Sequence, residues 1–254
     1  MLETLKQIVL ETEAIFFNDT YRRDVKVKGE SDFVTRADLE ISSFLHNKLK
    51  EAFPEIGFVS EEENTKVELG RDYFILDPID GTTNFMYQIP LCGVSLGLLQ
   101  NGEITAGIIY LPYAKELFWA EKGKGAFLNG EQIFCNSPEK LSDCLGFIEL
   151  NPYFREDKDQ ALRHAEKIFC ECRDLRTIGC AAASLAYVAC GRADVFLGRY
   201  LKPWDYAAGK IIVEEAGGKV TDLNGQFHPE ILNSHIVATC GKAYNQFLKE
   251  IKGA

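Results

Sequence analysis

Apolar positions in the first half of the chain follow two different periods. Residues 3–17 and 36–52 have apolar side chains at the spacing of amphipathic helices, and Pro54 ends the second one. A short apolar run at 73–76 leads into Asp77 and Pro78, which is typical of a strand that ends in a turn. Further apolar runs, separated by turn-forming residues, lie at 92–99, 104–111, 116–121 and 126–128. Such hairpin signals predict a mostly antiparallel sheet.

The second half of the chain alternates between strand and helix patterns, starting near residue 140. The predicted strands lie at 145–150, 174–178, 193–197 and 236–238. The predicted helices lie at 157–171, 181–190, 205–216 and 242–252. Alternation of this kind predicts helices packed on a sheet. We therefore expect two halves that share one cleft, an α+β half over residues 1–138 and an α/β half over residues 139–254.

The composition narrows the class of protein. Of the 254 residues, 46% are apolar and 26% are charged, which excludes a disordered, collagen-like or coiled-coil chain. The chain has 28 Lys and Arg against 38 Asp and Glu, a formal charge of −10. Because nonspecific nucleic-acid binding depends on cations that neutralise phosphates, we expect no nucleic-acid partner. A phosphorylated small substrate stays compatible with this charge, since bound cations can invert the sign of one site.

The sequence also allows an expectation about the cellular location of the protein. The N-terminal segment lacks the layout of a signal peptide, and no apolar run is long enough to span a membrane. We therefore expect a cytoplasmic protein without a membrane partner. In that compartment the eight cysteines are expected to be reduced and to serve as small core residues.

Three acidic segments stand beside signals that end a strand or start a helix. They are Glu61-Glu62-Glu63, Asp77-Pro78-Ile79-Asp80 and Asp205. In the middle segment, Pro78 forces a turn and Gly81 allows a close backbone approach, so two carboxylates and the Ile79 carbonyl can converge. Oxygen ligands of this kind suit Mg²⁺, Mn²⁺ or Ca²⁺. Thr82 and Thr83 are candidate caps of a following helix whose first amides would face an anion.

Each acidic segment also has a purely structural alternative. Asp77 and Asp80 fit an ordinary solvated Asp-Pro turn, and the three consecutive Glu residues fit a solvated acidic face. Asp205 fits the N-cap of a helix. A metal site requires all three segments to meet, which their spacing alone does not establish.

The longer motifs resemble those of the inositol monophosphatase family of metal-dependent phosphatases. DPIDGTTNF at 77–85 is similar to the family's signature, and WDYAAGKIIVEEAGG at 204–218 is similar to its second signature. The pair Glu61-Glu62, GESDFVTRAD at 29–38 and KGKGAFLNG at 122–130 match as well. The matches follow the family's order over nearly the whole chain.

This resemblance implies a fold and an activity. The fold would be a layered α-β-α-β-α sandwich of the sugar-phosphatase type, with a mainly antiparallel N-terminal sheet and a mixed C-terminal α/β half. The activity would be Mg²⁺-dependent and Li⁺-sensitive hydrolysis of inositol phosphate or another small polyol or sugar phosphate, by direct attack of metal-activated water. Mn²⁺ is a candidate substitute, and the resemblance also implies a homodimer.

The resemblance assigns metal ligands. Glu61, Asp77 and the Ile79 carbonyl would hold one Mg²⁺. A second would be held by Asp77, Asp80 and Asp205, and a third, weaker ion would use Glu61 through water. The four carboxylates carry a charge of −4, which two Mg²⁺ ions cancel, and a third ion leaves +2 to meet a phosphate dianion.

Further roles are implied by the same resemblance. Glu61 and Thr82 would hold the attacking water, with Asp77 bridging the metals. Gly81 and Thr82 would direct backbone amides at the phosphate, and Asp80 would touch the substrate. The residues expected to support this machinery are Glu62, Thr35, Asp38 and Lys28.

The match departs from the family where substrate selectivity is set. Gly198 stands seven residues before Asp205, where relatives often have a Glu that contacts inositol. The family's Gly-Thr-Ala segment, a substrate contact, reads Gly179-Cys180-Ala181. Arg199 and Lys202 lie near this gap and are candidate contacts for a second phosphate. Alternatively, both residues are solvated surface charges.

Three functional hypotheses follow. The first is a phosphatase of inositol phosphate or a related polyol phosphate. The second is a fructose-1,6-bisphosphatase or a nucleotide 3′-phosphatase. The third, from another class, is a non-catalytic scaffold that binds protein or RNA through a retained fold.

Overall fold

The computed structural model describes residues 1–29, 32–63, 70–226 and 233–253, so residues 30 and 31 of the 29–38 motif lie outside it. The strands are β1 Val25–Gly29, β2 Asp32–Thr35, β3 Gly57–Ser60, β4 Tyr73–Asp80, β5 Gly93–Gln100, β6 Glu103–Leu111, β7 Glu116–Glu121, β8 Ala126–Leu128, β9 Glu131–Ile133, β10 Leu145–Glu149, β11 Asp174–Arg176, β12 Val195–Leu201, β13 Lys219–Thr221 and β14 Ser234–Thr239. The α-helices are α1 Leu2–Leu10, α2 Glu13–Phe16, α3 Asp19–Arg23, α4 Arg36–Ala52, α5 Thr82–Met86, α6 Lys158–Glu171, α7 Ala181–Ala189, α8 Pro203–Glu215 and α9 Tyr244–Lys252. Short 3₁₀ turns lie at Leu141–Asp143, Arg155–Asp157 and Gly241–Ala243.

The two N-terminal helix predictions have different outcomes. Helix α4 has the predicted bounds of 36–52, and it begins with a capping box between Thr35 and Asp38. The predicted helix over 3–17 is instead divided into α1 and α2. The break lies at Thr12, whose hydroxyl donates to a backbone carbonyl of the preceding turn.

The larger sheet carries the β-hairpins. Within the described residues it has seven strands in the order β3-β4-β5-β6-β7-β8-β9. Strands β3 and β4 are parallel, and the other neighbours are antiparallel. Asn101 and Gly102 both have positive φ in the tight turn between β5 and β6. The predicted mostly antiparallel sheet is therefore confirmed.

The second sheet is mixed, as predicted. In the described ranges its five strands have the order β11-β10-β12-β14-β13. Strands β11, β10 and β12 are parallel, whereas β14 is antiparallel to both β12 and β13. A separate hairpin of β1 and β2 was not predicted from the sequence.

Alternating side chains build the layers. Phe74 and Leu76 on one face of β4 pack with α1 and α4, whereas Ile75 on the other face packs with Ala207 of α8. Helices α7 and α8 are buried between the two sheets, and α6 and α9 cover the far face of the second sheet. The layered α-β-α-β-α sandwich is therefore confirmed.

The described residues also bear on membrane-spanning helices and on the state of the cysteines. No helix within the described residues is both long and apolar enough to cross a membrane. The eight cysteines all have free thiols, and most of them are buried, although Cys170 is exposed.

Candidate active site

Two carboxylates stand side by side, one directly after β3 and one within β4. These strands are parallel with Ser60 in register with Leu76, so the residues that follow, Glu61 and Asp77, are neighbours. The backbone N–H of Glu61 donates to the Leu76 carbonyl at 3.1 Å. Because side chains alternate along a strand, Asp77 shares with Ile75 the face that packs against α8.

The turn after β4 is held by its own side chains. Asp77 is only 2% exposed, so a solvated Asp-Pro turn is the wrong interpretation of this residue. Its Oδ1 accepts a hydrogen bond from the Ile79 N–H at 3.0 Å. Gly81 has a φ of 84°, and a Cβ there would lie 3.0 Å from the Gly179 carbonyl oxygen. Glycine at this position allows the chain to approach the second half closely.

Thr82 contributes a hydroxyl rather than a helix cap. The N-cap of α5 is Gly81, and no side chain caps the helix, so the predicted capping by Thr82 and Thr83 is wrong. Helix α5 begins at Thr82 itself, whose hydroxyl donates to the Ile79 carbonyl at 3.0 Å. The hydroxyl therefore points back toward the carboxylates of the turn.

The N-terminal motif reaches the same turn through Asp38. One oxygen of Asp38 accepts from the N–H and the hydroxyl of Thr35, and the other lies 3.4 Å from the Thr82 hydroxyl. Burial raises the pKa of Asp38 to about 7. Lys28 forms an ion pair with Glu62, whose side chain is 6% exposed, so a solvated acidic face is the wrong interpretation of Glu62.

Asp205 enters the site from the first turn of α8. The N-cap of this helix is Lys202, and Asp205 accepts the Lys202 N–H at 2.7 Å, so Asp205 is not the N-cap. The charge of Lys202 favours the ionised form of Asp205. The Ser95 hydroxyl of β5 donates to the Trp204 carbonyl at 3.1 Å, which ties the start of the helix to the first sheet.

Two paired glycines let α8 lie close against the first sheet. Gly97 of β5 is in register with Gly107 of β6. A Cβ at Gly97 would lie 2.9 Å from the Ala207 Cβ, and one at Gly107 would lie 2.6 Å from the Ala208 carbonyl oxygen. Larger residues at either position would push α8 away from the sheet and Asp205 with it.

Asp80 is fixed by the start of α7. One of its oxygens accepts from the Ala182 N–H and from the Cys180 thiol. The Asn84 side chain donates to the Ile178 carbonyl at 2.6 Å and so joins the two halves of the chain here. The segment 179–181, predicted to contact substrate, is therefore brought against Asp80.

The four carboxylates lie close enough to perturb one another. Burial, followed by the charge of Asp205, raises the pKa of Glu61 well above its usual range, and burial and Glu61 do the same for Asp77. Burial raises the pKa of Asp80 to about 6, and burial with the charge of Asp80 raises that of Asp205 to about 8. Asp77 and Asp205 also share a side-chain hydrogen bond. The three acidic segments therefore meet, and their charges need protons or cations as partners.

This donor set suits a hard divalent cation. Its groups are all oxygens, which Mg²⁺ and Mn²⁺ prefer. Burial raises the pKa of the clustered carboxylates, so their ionised forms are disfavoured unless a cation offsets the charge. Among the residues that the structure describes, no three His, Cys, Asp or Glu side chains already form a compact set of metal ligands. The ligand assignments derived from the resemblance stay predictions.

Arg199 is not brought to the carboxylates. Phe196 of β12 packs toward α7 and α8, whereas Leu197 packs on the opposite face, toward α6 and α9. On that opposite side the Arg199 guanidinium forms an ion pair with Asp157 and a 2.6 Å hydrogen bond with Nδ1 of His164. Arg199 is 1% exposed, so the solvated-charge interpretation is wrong. Its position also argues against the predicted contact with a substrate phosphate.

Glu149, the last residue of β10, lies at the site but was not predicted from the sequence. Its Oε1 accepts from the Gly179 N–H at 3.0 Å and from the Ser184 hydroxyl at 3.1 Å. Burial and the charge of Asp80 raise the pKa of Glu149 to about 7. One feature of the sequence could have indicated Glu149. It comes directly after an apolar run, in the same way that Asp77 comes directly after the apolar run of β4.

Comparisons with known proteins identify the family of this chain. The sequence profile of the inositol monophosphatase family matches residues 3–252. An inositol-1-monophosphatase of Caulobacter vibrioides is 35% identical over 241 residues, which is 94% of each chain. A fructose-1,6-bisphosphatase/inositol-1-monophosphatase of Thermotoga maritima is 34% identical over 242 residues, covering 90% of this chain and 88% of that protein. The crystal structure of extragenic suppressor protein SuhB from Bartonella henselae, 34% identical, superimposes with a TM-score of 0.92 and covers 99% of this chain and 98% of that one.

The layered fold, the clustered carboxylates and these similarities define an enzyme of the phosphomonoester hydrolase class. Within that class, the chain belongs to the inositol monophosphatase family.

Proposed function

We propose that this protein is a Mg²⁺-dependent phosphatase that hydrolyses the phosphomonoester of a small polyol or sugar by direct attack of water. The observation that carries the proposal is the meeting of Glu61, Asp77, Asp80 and Asp205, which come from three separate segments of the chain. Such a cluster of buried like charges is costly unless cations offset it, and family membership supports a phosphatase as its use.

The proposed cations have named ligands. Glu61, Asp77 and the Ile79 carbonyl would hold one Mg²⁺, and Asp77 would share a second with Asp80 and Asp205. A third, weaker ion would use Glu61 through water, and Mn²⁺ is a candidate substitute. When bound, these cations supply Lewis-acid stabilisation of phosphate oxygens and lower the pKa of water.

The chain's own groups orient the reactants. We assign Glu61 and the Thr82 hydroxyl to the attacking water. Asp38, 3.4 Å from that hydroxyl and fixed by Thr35, would hold the hydroxyl in orientation. The backbone amides of Gly81 and Thr82 would face the phosphate. Lys28 and Glu62 form an ion pair that would support the site from the N-terminal motif. Orientation of this kind contributes by removing the entropy cost of assembling the reacting groups.

The proposed substrate class is polyol or sugar monophosphates, with inositol phosphate as the first candidate. The name of the Caulobacter relative supports this choice. Fructose 1,6-bisphosphate is the second candidate, because the Thermotoga relative carries both activities in its name and Lys202 lies beside Asp205. Segment 179–181 and Asp80 would contact the organic part of either substrate.

The first experiment measures phosphate release from myo-inositol 1-phosphate, fructose 1,6-bisphosphate and a nucleoside 3′,5′-bisphosphate, each with Mg²⁺ and with EDTA. We expect Mg²⁺-dependent release, loss of at least about 100-fold in kcat for Asp205→Asn, and little change for Asp143→Asn, a matched control at an exposed carboxylate. Absence of release from every substrate would refute the proposed function and favour the scaffold hypothesis.

The arrangement of the halves and the assembly are also proposals. We propose that the half over residues 1–138 supplies Glu61, Asp77 and Asp80, and that the half over residues 139–254 supplies Asp205 and the substrate side. The homodimer, the cytoplasmic location and the absence of a nucleic-acid partner stay predictions. Light scattering of the purified protein tests the dimer directly.

A further inference from the structure

Glu149 is a carboxylate at the site that the proposed metal ligands do not include. It lies at the carboxyl end of β10, and its Oε1 accepts from the Gly179 N–H and the Ser184 hydroxyl. The backbone N–H of Cys180 also donates to this carboxylate. Glu149 is therefore held against the start of α7 by three donors.

Asp80 approaches the same start of α7 through other donors. It accepts from the Ala182 N–H and the Cys180 thiol, and its charge is the strongest neighbouring charge acting on Glu149. The two carboxylates thus bracket the turn that precedes α7. A ligand hydroxyl placed beside this turn would have acceptors on either side.

The neighbouring strand leaves Glu149 without a competing side chain. Glu149 is in register with Gly198 of the parallel strand β12, so a side chain at 198 would share its face. A Cβ at Gly198 would lie 2.3 Å from Cδ1 of Leu201, which fills that place. On this side of the site, the Glu149 carboxylate therefore lies next to the apolar side chain of Leu201.

We propose that Glu149 accepts a hydrogen bond from a hydroxyl of the substrate's polyol or sugar part and so selects hydroxyl-bearing phosphate esters. This inference rests on the proposed function. A carboxylate has about four acceptor positions, and the three protein donors leave room for one more. A hydroxyl can fill that position, whereas an apolar ester would leave a desolvated acceptor without a partner.

The test compares myo-inositol 1-phosphate with cyclohexyl phosphate, which has the same ring size and leaving-group type but no free hydroxyl. The wild-type protein is expected to prefer inositol phosphate in kcat/KM. For Glu149→Gln, which keeps the shape and the acceptor for Gly179, kcat/KM for inositol phosphate is expected to fall about 10- to 100-fold, mainly through KM. For cyclohexyl phosphate it is expected to change less than about twofold.

A second variant keeps the test decisive if Glu149→Gln folds poorly. Ser184→Ala removes one donor that orients Glu149 and is expected to give a smaller loss in the same, substrate-dependent direction. Glu156→Gln on the outside of the second half is the matched control and is expected to change neither substrate.

The two proposals fail in different ways. Equal losses on both substrates would overturn the inference and leave Glu149 as a residue that only positions α7, and unchanged kinetics on both would also overturn it. A wild-type protein that releases phosphate with Mg²⁺ from none of these esters, nor from fructose 1,6-bisphosphate or the nucleoside 3′,5′-bisphosphate, would instead refute the proposed function.

Discussion

The close packing of α8 against the first sheet makes Gly107→Ala an informative substitution. A Cβ at this position would lie 2.6 Å from the carbonyl oxygen of Ala208 and 2.8 Å from its Cα. Unstrained carbon contacts lie at about 3.5–4.0 Å, so the overlap is on the order of 1 Å and falls on helix backbone. Backbone cannot rotate out of the way as a side-chain end can. Helix α8, and with it Asp205, must therefore move.

The magnitude follows from this overlap. Overpacking of a core by one methyl group costs about 1–3 kcal/mol of unfolding free energy, which for a chain of this length lowers the Tm by roughly 2–12 °C. A displacement of about 1 Å in a reacting constellation costs on the order of 100-fold in rate. Because Asp205 lies one turn before Ala208, kcat for Gly107→Ala is expected to fall about 10- to 100-fold while the protein stays folded.

The assay pairs thermal melts with phosphate release at saturating Mg²⁺. Gly146→Ala is the control, because its Cβ would lie 2.3 Å from Cγ2 of Ile168 on α6, away from Asp205. The control is expected to lose stability but to keep kcat within about twofold. If Gly107→Ala lost stability and kept full activity, the reasoning that the paired glycines position Asp205 would be refuted.

Three other expectations concern protons, the buried arginine and the threonine hydroxyl. Burial raises the pKa of Asp80 to about 6 and of Asp205 to about 8, above the ordinary 3.8, so the metal-free folded protein keeps protons that the unfolded chain has lost. As far as these groups are concerned, its unfolding free energy in EDTA should therefore be highest below pH 4 and should fall between pH 4 and about pH 8. Mg²⁺ at 100 times its Kd should restore about 2.7 kcal/mol at pH 8, and a melting temperature insensitive to Mg²⁺ at that pH would contradict this. Arg199→Ala should lower the unfolding free energy, since a fully buried side chain is lost together with its hydrogen bond to His164. The activity ratio between mono- and bisphosphates should not change, and a selective loss on the bisphosphate would restore Arg199 as a phosphate contact. Thr82→Val should lower kcat about 100-fold or more and Thr82→Ser should recover most of it, and equal activity of all three proteins would exclude the hydroxyl from the reaction.

Much of the architecture could be predicted because local signals agreed with the tertiary structure. Helix α4 has its predicted bounds since an apolar stripe and a capping box occur together in 35–52. The hairpins of the first sheet carry their own turn residues, such as Asn101 and Gly102. Strand β3 and the hairpin of β1 and β2 escaped prediction because each is short and lacks a distinct apolar alternation.

The candidate site, too, could be predicted from the sequence only in part. The sequence motifs contain the carboxylates, but their meeting depends on α8 docking over Gly97 and Gly107, which is a long-range contact without a local signal. The predicted phosphate contact of Arg199 rested on its nearness to Asp205 along the chain, which does not reveal which face of β12 a residue occupies. Glu149 was missed because a single acidic residue at a strand end resembles many surface residues until the fold places it beside Asp80.

The most direct test of the central claim is the anomalous scattering of Mn²⁺ in crystals of this protein. The claim is that Glu61, Asp77, Asp80 and Asp205 together hold divalent cations. We expect Mn²⁺ peaks about 2.0–2.5 Å from oxygens of all four carboxylates, with one peak shared through Asp77. Crystals in which Mn²⁺ bound elsewhere, or in which these carboxylates bound none at millimolar Mn²⁺, would contradict the account.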